Sequence, residues 1–212
     1  MTATIRPARP QDAGFLGWAI YMAARGHLKR GWFDIVLERD EAFCIAFSRR
    51  LAEAKARSWW HWSLFLVAEA DGAPVAALCG FGDESVYMAS SDAMAEASRF
   101  MGLSETEQAR LWPRGAFILS CTTSEPGAWT IENVATLPEH RGSGVTQALL
   151  ARGLDAARDA GFQRAQISFL IGNEAAERAY RKAGFEFAEE KRAPEFQAAM
   201  GVPGLRRLAR GV

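Results

Sequence analysis

Residues 129–157, WTIENVATLPEHRGSGVTQALLARGLDAA, join a strand to a helix through a glycine-rich turn. The run at 129–137 predicts a strand, and apolar residues at helical spacing predict a helix over 145–160. Between them, Gly142 and Gly144 let the backbone approach a ligand closely, and the free amides point at one spot by the positive end of the helix dipole. This geometry suits a phosphate, with which Arg141 could pair directly. An ordinary glycine-rich turn is the alternative interpretation.

Two familiar phosphate motifs do not fit this turn. It lacks the Gly-Lys-Ser/Thr of a P-loop. It is also not the GxGxxG of a dinucleotide-binding fold, because Gln147 stands where the third glycine belongs and residues 162–166 offer no acid for a ribose.

The pattern after the turn predicts a βαβ unit. A strand over 163–170, a helix over 174–183 and a strand over 185–189 follow in order. Both helices of this region end in Ala-Gly-Phe, and a glycine just past a helix supplies the left-handed conformation that ends it. With the strand at 129–137 and the helix at 145–160 before them, these elements give the order strand, helix, strand, helix, strand, which indicates a crossover βαβ unit in the last third of the chain.

The part of the chain before residue 82 predicts strands and helices in mixed order. The expected elements are a strand at 4–8, a helix at 12–24, a helix at 38–57 and a hairpin of strands at 62–70 and 74–81. Pro7 restricts the first strand to a sheet edge. Asp12 is expected to cap the first helix, and Asp71-Gly72 to form the hairpin turn.

Residues 83–128 interrupt this pattern and predict a helical insertion between the third and fourth strands. One helix is expected over 92–101. Ser104 and Glu107 form a capping box that starts another, ending near Leu111. We expect residues 117–121 to be extended, and residues 201–205 to form a turn that leads into a last strand.

Composition restricts the class of protein. A chain of 212 residues with 49% hydrophobic residues is expected to form a single domain, residues 1–212. Its 25 basic and 25 acidic residues balance, which argues against a nucleic-acid or membrane-binding surface. With no long apolar run and no signal-peptide core, we expect a cytoplasmic protein. Three cysteines without a CxxC, and three histidines without shared spacing, predict neither a disulfide frame nor a metal site.

Two motifs together resemble the GNAT superfamily of N-acetyltransferases. The acetyl-CoA signature of that family, Arg/Gln-x-x-Gly-x-Gly/Ala, is matched from Arg141 to Thr146, with threonine at the last position. Its second signature, Asn-x-x-Ala-x-x-x-Tyr-x-x-x-Gly-Phe, is similar to the run from Asn173 to Phe185. The resemblance implies an α+β fold in which helices flank a mixed, largely antiparallel sheet.

The resemblance also implies an acetyl-CoA site. The residues that would bind the pyrophosphate are Arg141, Gly142, Ser143, Gly144, Val145 and Thr146. Val134 and Thr136 would bind the pantetheine arm where the fourth strand splays from the fifth, and Asn173 would bind nearby; Asn173 could equally cap its helix. Tyr180 matches the tyrosine that faces the sulfur and would protonate it; packing between helix and sheet is the alternative.

Glu132 is the candidate base. A lysine-like amine has a pKa of about 10.4, so very little of it is neutral at pH 7 and a group must take its proton. Ile131-Glu132-Asn133 resembles the Leu-Glu-Asp of diamine acetyltransferases, and a carboxylate in an apolar strand is costly unless it is paired or functional. A solvated or ion-paired glutamate is the alternative, and Glu84 and Glu125 are the other carboxylates considered.

These observations predict an acetyl-CoA-dependent N-acetyltransferase that transfers acetyl directly to a primary amine of a small molecule or peptide. A catalytically silent CoA-binding sensor or scaffold, or an acyltransferase that uses another acyl-CoA, are the alternatives. Trp32-Phe33 and residues 59–62 could wall the acceptor pocket, although core packing explains them as well. A homodimer is common in the family, and no metal is expected.

Overall fold

The computed structural model of the chain describes residues 3–212, within which seven strands form one sheet in the order β1-β2-β3-β4-β5-β7-β6. The strands are β1 (Thr4–Pro7), β2 (Phe65–Ala70), β3 (Ala73–Phe81), β4 (Trp129–Thr136), β5 (Arg164–Leu170), β6 (Glu186–Arg192) and β7 (Gly204–Gly211). Neighbouring strands run antiparallel except β4 and β5, which are parallel. The expected α+β class with a mixed, largely antiparallel sheet is confirmed.

Helices cover both faces of this sheet. They are α1 (Ala13–Arg25), α2 (Trp32–Leu37), α3 (Glu41–Glu53), α4 (Ser85–Met88), α5 (Ser90–Phe100), α6 (Glu105–Gly115), α7 (Val145–Asp159), α8 (Glu174–Lys182) and α9 (Pro194–Met200). None of the helices between residues 3 and 212 is long and apolar enough to cross a membrane.

Two hydrophobic cores lie on opposite faces of the sheet. Helix α7 crosses β2, β3 and β4, and its Leu149 belongs to the same core as Leu78. Helices α1 and α3 belong to the other core, which includes Ile20, Cys79 and Phe81. Side chains alternate along a strand, so Cys79 and Phe81 face away from α7 whereas Leu78 faces it.

Strand β4 is irregular at Asn133. The register with β3 shifts between Ala77 and Cys79, and Asn133 has a positive φ of 52°. A bulge of this kind bends a strand and strengthens its local twist. Pairing between β4 and β5 covers only Trp129–Ile131, so residues 132–136 have no partner strand on the β5 side. The crossover from β4 through α7 to β5 therefore encloses a gap between two strands that begin side by side.

The segment between β3 and β4 is helical, as expected. The Ser104 hydroxyl accepts from the Glu107 amide, and the Glu107 carboxylate accepts from the Ser104 amide, so the capping box of α6 is confirmed. The expectation of an extended segment at 117–121 is wrong, because Ala116–Ser120 forms a 3₁₀ helix. The segment is not a strand of the sheet, and Phe117 packs edge-on against Phe196 of α9.

Three further expectations need correction. The helix expected over 38–57 is shorter at both ends, because Glu38 takes a left-handed conformation after α2, Asp40 caps α3 by accepting from the Phe43 amide, and α3 ends at Glu53. Asp12 stands at the N-cap position of α1, but its carboxylate instead accepts from the Arg6 guanidinium and the Arg9 amide. Helices α2, α4 and α9 have no counterpart among the expected elements.

Candidate active site

The glycine-rich turn between β4 and α7 exposes backbone amides at a helix start. Gly142 and Gly144 have φ of 78° and 87°, a conformation that side chains rarely adopt. Gly144 is the N-cap residue of α7 and has no side chain with which to cap it. The Val145 amide donates to the Ser143 hydroxyl at 3.4 Å, and the other first-turn amides remain available to an anion at the positive end of a 15-residue helix.

Neighbouring side chains shape the turn without closing it. The Ser143 hydroxyl donates to the His140 carbonyl at 2.6 Å, and Arg141 is exposed. The hydroxyls of Thr146 and Thr136 form a hydrogen bond of 2.9 Å, which connects the first turn of α7 to the end of β4. The side chain of Thr146 therefore holds the turn against β4, the strand that precedes it.

Glu132 lies on β4 directly opposite Cys79 of β3. Its side chain is partly buried, and burial alone raises the pKa of its carboxyl to about 8. No neighbouring cation or hydrogen-bond donor offsets this effect. Among residues 3–212 the carboxylate therefore has no ion pair, which excludes the alternative of an ion-paired glutamate. A carboxyl whose pKa lies near the working pH is suited to proton transfer.

Tyr180 of α8 is buried and packs edge-on against Phe169 at a centroid distance of 5.6 Å. Burial raises the pKa of its hydroxyl, and the charge of Glu132 raises it further. Tyr180 belongs to the same hydrophobic core as Ile131, the residue that precedes Glu132. A tyrosine with a raised pKa keeps its proton at neutral pH and is able to donate it.

Cys79 is the thiol next to Glu132. Burial, and then the charge of Glu132, raise its pKa well above the ordinary value, and its Sγ donates to the Trp59 carbonyl at 3.1 Å. A thiolate, not a thiol, is the nucleophile in cysteine chemistry. Cys79 is therefore poorly suited to carry an acyl group, in keeping with direct transfer.

Aromatic residues flank Glu132 on the face of the sheet opposite α7. The Tyr87 ring of α4 stands edge-on to Phe81 at 5.2 Å and tilts against Trp59 at 5.7 Å. Tyr87 is 36% exposed as a whole residue, but lost hydration around its hydroxyl, and then the charge of Glu132, raise the pKa of that hydroxyl. Phe81 and Tyr87 were not among the sequence candidates; the alternation along β3 that places Phe81 on the face of Cys79 was the only signal available.

The other aromatic candidates pack mainly in the core. Phe33 and Trp60 are buried and lie 6.1 Å apart, and Trp32 stands edge-on to Phe33 and donates to the Gly115 carbonyl. Core packing accounts for them, whereas Trp59 alone of the four residues 59–62 touches Tyr87.

Three remaining candidates have clear positions. Asn173 caps α8 by accepting from the Ala176 amide at 3.2 Å. Glu125 pairs with Arg164 and Arg207, and the hydrogen bond from Arg164 lowers its pKa, so it is a poor base. Glu84 is exposed just before α4. No group of three His, Cys, Asp or Glu side chains within residues 3–212 is placed to hold a metal ion.

Comparison with known families matches residues 32–185 to the acetyltransferase (GNAT) family. The chain belongs to this family. A search of curated sequences finds no match. Membership confirms the resemblance drawn from the two motifs, and with it an acetyltransferase whose acyl donor is acetyl-CoA.

Solved structures share the GNAT fold over the whole chain. An N-acetyltransferase from Staphylococcus aureus Mu50 has a TM-score of 0.68 at 20% identity, covering 98% of this chain and 100% of its own. A polyamine N-acetyltransferase of Drosophila melanogaster that forms N-acetylagmatine has a TM-score of 0.57 at 14% identity, covering 100% of both chains. A Salmonella typhimurium protein solved with its cofactor acetyl-CoA has a TM-score of 0.54 at 17% identity, covering 100% of this chain and 94% of its own.

We expect Gly144→Val to weaken CoA binding by about tenfold or more in calorimetry. No atom lies within 4 Å of a Cβ added at Gly144, so the new side chain enters the open space where a pyrophosphate would lie. Gly161→Val is the matched control, because Gly161 follows the other end of α7 with a φ of 84° and equal free space. The Gly161→Val protein should lose about as much stability as the Gly144→Val protein, but it should bind CoA with wild-type affinity. Wild-type affinity in a folded Gly144→Val protein would contradict the placement.

Proposed function

We propose that this GNAT protein is an N-acetyltransferase that transfers the acetyl group of acetyl-CoA directly to a primary amine of a small molecule or peptide. The proposal rests on the surroundings of Glu132. This residue has no ionic partner within residues 3–212, has a carboxyl pKa raised to about 8, and lies where β4 leaves β5. A silent CoA-binding module would have no use for such a carboxylate, which is costly to keep.

The donor would lie along β4 and the turn that follows it. Arg141 and the amides from Gly142 to Thr146 would hold the pyrophosphate. The free edge at residues 132–136 would pair through Val134 and Thr136 with the amides of the pantetheine arm, as an added strand does. Asn173, which already caps α8, would border the arm. The thioester would then arrive between Glu132 and Tyr180.

Each residue would have a defined part in the reaction. An approaching ammonium group favours the ionised form of Glu132, which takes a proton from the amine directly or through a water. The neutral nitrogen attacks the thioester carbon, a C–N bond forms, and the C–S bond breaks. Tyr180 gives its proton to the departing sulfur. The attacking nitrogen loses its second proton to become the amide, and this proton passes through solvent to the Tyr180 phenolate. Bound acetyl-CoA supplies the activated acyl group.

The aromatic side chains beside Glu132 support a cationic acceptor. An ammonium group is attracted to aromatic faces, and Trp59, Phe81 and Tyr87 present such rings next to a single carboxylate. The polyamine acetyltransferase that shares the fold acts on an amine of this kind. We therefore expect amines with an apolar stem to be better acceptors than amines that carry an adjacent carboxylate.

Tyr180→Phe should lower turnover by about 10²–10⁴-fold while CoA affinity stays near that of wild type, since the change removes only a proton donor. The assay is release of free thiol from acetyl-CoA with a panel of diamines, arylalkylamines and amino acids. The Phe169 contact is kept in this variant, so the fold should be unchanged. Turnover within about twofold of wild type, with chemistry rate-limiting, would reduce Tyr180 to a packing residue.

Glu132→Gln should alter the pH profile of kcat/KM in a particular way. With a carboxyl pKa of about 8, wild-type kcat/KM should rise up to that pH and then level off. The variant must use the neutral amine, whose fraction rises about tenfold per pH unit up to about pH 10.4. The kcat/KM of wild type divided by that of the variant should thus be constant at pH values below the carboxyl pKa and should fall at higher pH. A ratio near one throughout would leave Glu132 without a catalytic role.

The same variant can be tested without an acceptor. The pKa of Glu132 is raised on folding from 4.5 to about 8, so its contribution to stability is present below pH 4.5 and is lost as the pH rises to about 8. Glutamine does not titrate, and the Tm of Glu132→Gln should exceed that of wild type by a margin that grows across this range. An equal margin at both ends would contradict the raised pKa.

A further inference from the structure

Asn133 has an unusual backbone conformation for its position. Among residues 3–212, Glu38, Asp71 and Asn133 are the non-glycine residues with positive φ. Glu38 follows the end of a helix and Asp71 lies in a hairpin turn, and both are exposed. Asn133 instead lies within β4, at its bulge. Asparagine tolerates the left-handed region better than most residues, but the conformation still carries strain.

The side chain of Asn133 carries a second cost. The residue is only 6% exposed, and its Nδ2 is buried with no hydrogen-bond partner within residues 3–212. Buried amide groups normally find a partner, and one that does not destabilises the fold. Strain and an unpaired donor at one residue are typical of a functional position.

The position of Asn133 indicates what the missing partner is. The residue stands between Glu132 and Val134, just past the point where pairing with β5 ends at Ile131. A group that occupies the gap between β4 and β5 would therefore lie next to it. The unpaired atom is an N–H donor, so the missing partner must be an acceptor. Next to the proposed base, the acceptor that the reaction brings is the carbonyl oxygen of the thioester.

We propose that the side-chain amide of Asn133 donates a hydrogen bond to the acyl carbonyl oxygen of bound acetyl-CoA. The inference rests on the proposed function and adds a substrate-binding residue to it. The carbonyl oxygen gains negative charge when the amine attacks, so a donor already in place stabilises the transition state more than the bound substrate. The strain at the bulge holds that donor where water cannot satisfy it.

The test compares two ligands on wild type and Asn133→Gly. Acetyl-CoA has the carbonyl oxygen, whereas S-ethyl-CoA is a thioether of similar size without it. Calorimetry should show acetyl-CoA binding weakened by about three- to tenfold in the variant, with S-ethyl-CoA binding unchanged. The kcat for any acceptor that wild type uses should fall by about 10²–10³-fold. Glycine suits the positive φ and removes the unpaired donor, so the Tm should not fall.

Asp71→Gly is the matched control for the backbone. Asp71 has a φ of 51° in an exposed hairpin turn, so this variant shows what glycine does to stability at such a position and should change neither ligand's affinity. Asn133→Asp provides a second variant if the glycine variant fails to fold. Aspartate keeps the size of the side chain and tolerates a positive φ, but it replaces the donor with an acceptor. The affinity for acetyl-CoA should therefore fall, while the affinity for S-ethyl-CoA stays unchanged.

Two results would overturn the inference while leaving the proposed function in place. Equal weakening of both ligands would assign Asn133 to the pantetheine arm or to the shape of the bulge. Unchanged binding and turnover in both variants would make it structural. A wild-type chain that binds neither ligand would overturn the proposed function itself, and that result is distinguishable from the other two.

Discussion

The separation of β4 from β5 after Ile131 is the constraint on which the rest of the site depends. Two parallel strands that stayed paired would leave no free backbone for a ligand. The bulge at Asn133 turns β4 out of register, and α7 begins only after the glycine turn that follows. The free strand edge, the exposed amides of the turn and the Glu132 carboxylate therefore follow one another along a single stretch of chain.

The electrostatics of the site follow from this opening. The start of α7 offers positive potential, and its N-cap glycine has no side chain with which to cap it, which suits the phosphates of a CoA. Glu132 has lost much of its hydration and gained no cation, so its pKa is raised to about 8. Burial, and then the charge of Glu132, raise the pKa values of Tyr180 and Cys79, so both stay protonated. Loss of hydration thus brings the pKa of the Glu132 carboxyl toward neutral pH and keeps the Tyr180 hydroxyl protonated, so one group is suited to accept a proton and the other still carries one. The aromatic side chains beside them come from the segment before β2, from the end of β3 and from α4, so the insertion contributes to the proposed acceptor side through Tyr87.

The regular parts of this fold could be predicted from sequence because they depend on local patterns. The strand, turn and helix around residues 129–157 and the capping box at Ser104 are fixed by spacing and by neighbouring residues. Residues 117–121 and Asp12 were mispredicted because contacts outside their own helix decide them: Phe196 packs against the first, and the Arg6 guanidinium of β1 binds the carboxylate of the second. Glu132 and Tyr180 could be named from motifs. Tyr87 could not, since nothing local brings its ring to Phe81, and the bulge at Asn133 exists only in the register between β3 and β4.

Hydrogen exchange of the backbone amides, measured with and without CoA, tests the central claim most directly. If the gap between β4 and β5 holds the pantetheine arm, saturating CoA should slow exchange in residues 132–136 and in the turn at residues 141–147. The edge strand β1 and its partner β2 should exchange at unchanged rates, because they lie on the far side of β3. Slowing confined to other segments, in a chain shown by calorimetry to bind CoA, would contradict the account.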